Sequence, residues 1–148
     1  MIFISRKKAF TLMELILVVA LIVITSAITA PIYFSAKSGD DLDNSADVLA
    51  SSIRRAQILS MAVEGDSSWG VKIENDNIII FRGDDYSLRD SNWDESVKIN
   101  KNIVFSGLDE IVFHKFYGRP VVEGDIYLKI NDGRTSTVNI NSWGTVNY

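Results

Sequence analysis

From Phe10 to Ala30 the chain reads FTLMELILVVALIVITSAITA, an apolar run interrupted by a single carboxylate, Glu14. As a helix rising 1.5 Å per residue, these roughly 21 residues span about 31 Å, close to the hydrocarbon thickness of a bilayer. Arg6, Lys7 and Lys8 precede the run, whereas Pro31, Lys37, Asp40, Asp41 and Asp43 follow it. The positive-inside rule therefore predicts a cytoplasmic N-terminus and a main body on the far side. A cleaved secretory signal has an apolar region of about 7 to 15 residues, so this run is long for one, although a cut after Ala27 in Thr25-Ser26-Ala27 is conceivable. An uncleaved signal anchor fits the length and charge equally well.

Glu14 needs a further explanation. A carboxylate at the centre of a membrane segment costs about 2.5 to 3.5 kcal/mol on insertion scales, less near an interface, and is retained for a partner. A cut between Ala9 and Phe10 would create a cation, the new α-amine of Phe10, with which a neighbouring subunit's Glu14 could pair in a helical bundle. Arg6-Lys7-Lys8-Ala9 followed by Phe10-Thr11-Leu12-Met13-Glu14-Leu15 resembles the class III leader of type IV pilins and pseudopilins. That resemblance implies cleavage between Ala9 and Phe10 by a prepilin peptidase, N-methylation of Phe10 and a role for Glu14 in filament assembly. Ala9 stands where the family usually has glycine.

The remainder divides by pattern. Pro31 is placed to kink the helix, and Ser38-Gly39-Asp40-Asp41 reads as a break or joint. An amphipathic helix over about 42–64 follows, with Leu42, Ala46, Leu49, Ile53, Ala56, Ser60 and Val63 on its core face and Asp43, Asp47 and Arg54 elsewhere. Gly65 is expected to end it. Residues 68–148 are β-rich and predict a mostly antiparallel sheet, with strands at 69–74, 77–82, 97–99, 103–106 and 111–116. A hairpin of 125–130 and 135–140 turns at Asn131-Asp132-Gly133-Arg134, with Ile126, Leu128 and Ile130 on one face, and a last strand follows Gly144.

Leu49-Ala50-Ser51-Ser52-Ile53-Arg54-Arg55-Ala56-Gln57, Trp69-Gly70-Val71, Phe116-Tyr117-Gly118-Arg119-Pro120 and the closing Val138 to Val146 are similar to the GspH/FimT group of minor pilins and pseudopilins. The implied fold class is α+β and pilin-like: a long N-terminal hydrophobic helix, then a globular domain built on a mostly antiparallel β-sheet. The implied organisation is a leader at 1–9, a transmembrane or filament-core helix at 10–38 and a globular domain at 39–148. The implied partners are prepilin peptidase, other pilins or pseudopilins, an assembly platform membrane protein, its ATPase and the inner membrane.

Little in the sequence suggests catalysis. There is no cysteine, and His114 is the only histidine, so no thiolate chemistry and no His-based triad or zinc cluster arises within one chain. His114 lies in an apolar run with Phe113 and Phe116 and reads as a partly buried strand residue. The glycines show no phosphate-loop spacing. No enzyme activity and no cofactor or metal is expected. Asp84, Asp85, Asp90, Asp94 and Glu95 gather oxygen ligands in the 82–95 loop without the alternation of an EF-hand, and a solvated loop is the expectation there. Lys115, Arg119, Lys129 and Arg134 could form a basic patch, the basis for an alternative role as a DNA-binding minor pilin. Yet removing Arg6, Lys7 and Lys8 from the 15 basic residues leaves 12 against 19 acidic ones, near −7, so nucleic acid is not an expected partner. A plain signal-anchored extracytoplasmic protein is the other alternative.

Overall fold

A computed structural model describes the backbone of residues 10–148 and the side chains of 10–27 and 37–148, so the expected leader at 1–9, Ala9 included, lies outside the described residues. Helical hydrogen bonding runs over α1, Leu12–Met61. The chain forms two compact units, one ending at Lys37 and the other covering Ser38–Tyr148. In the first unit the described apolar side chains are exposed on every side of the helix. Among the described residues no helix is long and apolar enough to cross a membrane.

In the second unit the expected break at 38–41 is absent, because those residues are helical. Tertiary contacts hold a stretch that propensity alone would disfavour. Leu42 is buried, and Asn100 Nδ2 donates to the Asp41 carboxylate at 2.8 Å. The expected core face then follows: Leu42, Ala46, Leu49, Ile53, Ala56 and Ser60 are all buried. The helix stops at Met61, before Gly65, because Val63 turns into the left-handed region at φ 56. Gly65 shares that conformation two residues later, inside a short 3₁₀ turn.

Eight strands follow: β1 Trp69–Glu74, β2 Asn77–Arg82, β3 Glu95–Lys98, β4 Ile103–Gly107, β5 Glu110–Phe113, β6 Gly124–Ile130, β7 Thr135–Ile140 and β8 Val146–Asn147. They make two four-stranded sheets, in the orders β3-β2-β1-β5 and β4-β6-β7-β8, where the sequence suggested one. Every pairing within them is antiparallel. One core joins the helix to both sheets, through Leu49 and Ile53 from α1, Val71, Ile80 and Phe113 from the first sheet, and Ile126, Leu128 and Val138 from the second. Burial of this apolar surface is the main stabilising term, at about 25 cal/mol per Å².

Phe81 is also fully buried, but outside that cluster. It sits opposite Gly70, with Tyr86 of the 83–94 loop meeting its ring edge-on at 5.4 Å. A Cβ on Gly70 would lie 2.5 Å from the Phe81 ring, so glycine there makes room for the aromatic.

Candidate functional site

The first candidate is the start of α1. Thr11 caps the helix, its hydroxyl oxygen accepting from the Glu14 N–H at 3.2 Å. Glu14 thus lies in the first turn, where the positive end of the helix dipole favours a carboxylate. This local role for the Thr11-x-x-Glu14 spacing adds to the expectation of a partner cation. The carboxylate itself has no hydrogen bond or ion pair among the described residues. Phe10 is 81% exposed, and the apolar side chains from Leu12 to Ile24 are exposed with it. Further along, polar groups are satisfied internally: the Ser26 hydroxyl donates to the Ile22 carbonyl at 2.7 Å and Thr25 to the Leu21 carbonyl at 2.9 Å. Hydroxyls returned to their own backbone in this way suit a helix covered by lipid or by other helices. Glu14 is the exception.

The second candidate lies beside the Ser60 end of α1, within the 38–148 unit. β5 stops at Phe113, and the chain turns back through Phe116 at φ 70 and Gly118 at φ 60. His114 and Arg119 close this turn, the His114 N–H donating to the Arg119 carbonyl at 2.8 Å and the Gly118 N–H to the His114 carbonyl at 2.9 Å. His114 is therefore exposed beyond the strand end, and not the partly buried strand residue that its apolar neighbours suggested. Gln57 Nε2 of α1 donates to the carbonyls of Gly118 at 2.8 Å and Trp143 at 3.1 Å, fastening this turn to the turn after β7. The Arg119 guanidinium consequently lies 4.3 Å from the centre of the Trp143 ring. His114, Tyr117 and Arg119 line a hollow of about 260 Å³ beside it. A stacked arginine beside exposed aromatics suits protein contact. No sequence signal linked Gln57 to either turn.

Four of the five acidic side chains of the 82–95 loop have partners. Asp85 accepts from the Ser87 N–H and hydroxyl, each at 2.7 Å, and Asp90 from the Asn92 N–H at 3.1 Å, so both cap short 3₁₀ turns. Asp94 pairs with Arg89 at 2.8 Å and Glu95 with Arg55 at 2.7 Å. The Arg55 hydrogen bond holds the Glu95 carboxyl below its usual range, and the Ser87 hydroxyl does the same for Asp85. Among the described residues no group of acidic side chains is arranged to hold a metal ion.

The four basic residues do not form one patch. Lys115 reaches Asp66 at 2.5 Å, near the Ser60 end of the helix. Arg134 pairs with Asp132 at 2.6 Å and lies against Gly39, near the helix start in this unit. Twenty helical residues span about 30 Å, so these cations occupy opposite ends.

No family model and no curated protein matches the chain. Among solved structures, the minor pseudopilin EpsH from the type 2 secretion system of Vibrio cholerae is similar in fold. The match has a TM-score of 0.53 at 7% identity and covers 72% of this chain and 94% of that one. At that identity the likeness is one of fold alone. It is a pilin-like fold.

Proposed function

We propose that this chain is a minor structural subunit of a type II secretion pseudopilus or a type IV pilus. The observation that carries this reading is the start of α1, where a helix that is apolar on all sides bears one unpartnered carboxylate, Glu14, four residues after Phe10. A helix apolar on every side must be covered by lipid or by protein. The 21-residue run from Phe10 to Ala30 supports a single inner-membrane span before assembly, with the globular domain outside the cytoplasm. The prepilin peptidase cuts between Ala9 and Phe10 and methylates the new amine. In the filament that amine pairs with Glu14 of a neighbouring subunit, offsetting the cost of the buried carboxylate. The platform protein and ATPase supply the work of extraction. No enzymatic step is assigned to this chain. The separation of Lys115 and Arg119 from Arg134 gives the DNA-binding alternative no shared surface.

The test is assembly in cells that hold the rest of the system, comparing the full chain with Glu14→Ala and Glu14→Gln. The unaltered subunit is expected in the sheared filament fraction, and both variants are expected to stay in the membrane. Equal recovery of all three in filaments would remove Glu14 from the mechanism.

A further inference from the structure

The 114–119 turn carries a strain that the fold alone does not explain. Phe116 stands at φ 70 with its side chain mostly in solvent, so its ring adds little packing at a position where glycine would be unstrained. The turn is nonetheless firmly held. The Phe116 N–H donates to the Ser60 carbonyl at 3.2 Å, and Gln57 Nε2 donates to the Gly118 carbonyl at 2.8 Å. Phe116, Tyr117 and Trp143 are 63%, 78% and 66% exposed. At about 150–250 Å² per aromatic side chain, the three leave on the order of 400 Å² of apolar surface open on each molecule. The Phe116 ring is a knob on this turn, and the hollow of about 260 Å³ lined by His114, Tyr117 and Arg119 is a hole in it. A cavity of about 150 Å³ holds benzene, so the hollow has room for one phenyl ring.

We infer that this turn is a self-association site: a second copy of the chain docks about a two-fold axis, with the Phe116 ring of each copy entering the hollow of the other. An isologous pair requires one surface to offer what it also accepts, and here knob and hollow belong to the same short turn. The electrostatics agree. Arg119 has no ion pair among the described residues; it lies on the Trp143 ring and lines the hollow, where the negative face of an incoming phenyl ring suits a guanidinium. Asp66 pairs with the Lys115 ammonium, which reduces repulsion across the axis. The two aromatic patches together present on the order of 800 Å², less than a standard-size interface before their polar rims are counted, and this suits a weak, reversible dimer. The strain at Phe116 is then retained for the contact, because it presents the ring already ordered. The inference does not rest on Glu14 or on processing.

The test is sedimentation equilibrium of the full chain in detergent micelles, where a reversible dimer is expected. Phe116→Gly, which lacks the knob, and His114→Trp, which fills the hollow, should each weaken the dimer about tenfold or more. An equimolar mixture of the two variants should associate more tightly than either alone, because one intact knob then meets one intact hollow. Leu88→Ala, at an exposed apolar side chain of another loop, should leave the dimer unchanged. The urea midpoint of Phe116→Gly, taken at a dilution where both chains are monomeric, should equal or exceed that of the unaltered chain; a clear drop would assign the lost association to misfolding and overturn the inference. A chain still monomeric at about 1 mM, a dimer that persists in Phe116→Gly, or a mixture no tighter than its components would each overturn it as well, the first leaving the turn to a different protein.

Discussion

Ser60 shows how much one hydroxyl can hold. Fully buried, it accepts from the Trp69 N–H at 2.7 Å and donates to the Phe113 carbonyl at 3.1 Å, joining α1 to two neighbouring strands. Ser60→Ala leaves the Trp69 N–H buried without a partner, and urea denaturation should show a loss of about 1 to 3 kcal/mol. An unchanged midpoint would mean that water or a backbone shift replaces the bond. Phe116 is the opposite case: exposed, and held at φ 70, where a side chain costs about 1 to 2 kcal/mol. Phe116→Gly should therefore leave stability unchanged or raise it by up to about 1 kcal/mol, despite the loss of an aromatic ring. A clear destabilisation in the same denaturation experiment would show that the ring packs more than its exposure indicates.

Among the elements, the junction under Gln57 is the most confined. Gly144 is buried at φ 78, and a Cβ there would collide with Gln57 Nε2 and approach the Gly118 carbonyl oxygen at 2.8 Å. Gly144→Ala should lower the melting temperature by several degrees, on the order of 2 kcal/mol, and should change the indole fluorescence of Trp143 if the turn moves. An unchanged melting curve would argue against that confinement. Where strand alternation and turn residues agree, the sequence already carries the element: the bounds of β1, β2 and β7 are those read from it. β5 ends early because Phe113, Phe116 and their neighbours read as one apolar run, whereas Phe116 adopts a turn conformation that composition does not encode. The joint expected at 38–41 is helical because Asn100, far along the chain, bonds Asp41. The division of eight strands between two sheets rests on pairings such as β1 with β5, and no local pattern specifies those. The sequence singles out Phe10 and Glu14 through the leader resemblance and the lone carboxylate of the apolar run, while it does not point to the Arg119–Trp143 pair, since Gln57 brings together turns that are distant in sequence.

For the molecule as a whole, the ion pairs set a pH dependence. The carboxyls of Asp109, Glu95 and Asp132 are held below their usual range chiefly by hydrogen bonds from Lys72, Arg55 and Arg134 respectively. On acidification the unfolded chain therefore takes up these protons first. Stability from these pairs is complete above the ordinary carboxylate range, near pH 4 to 5, and is lost as pH falls through the lower folded values. Denaturation midpoints should be flat between about pH 8 and 5 and fall below about pH 4. In Arg55→Ala that acid limb should be shallower, and an identical limb would exclude the Glu95 pair as a contributor. The surface exposure of these pairs keeps each contribution small.

The mass of the N-terminal peptide after co-expression with a prepilin peptidase tests the proposed processing between Ala9 and Phe10 most directly. The expected result is a mature chain beginning at N-methylated Phe10. An intact leader, with the same peptidase active on a control substrate, would contradict the pilin-type reading and leave a plain membrane-anchored protein with a pilin-like fold.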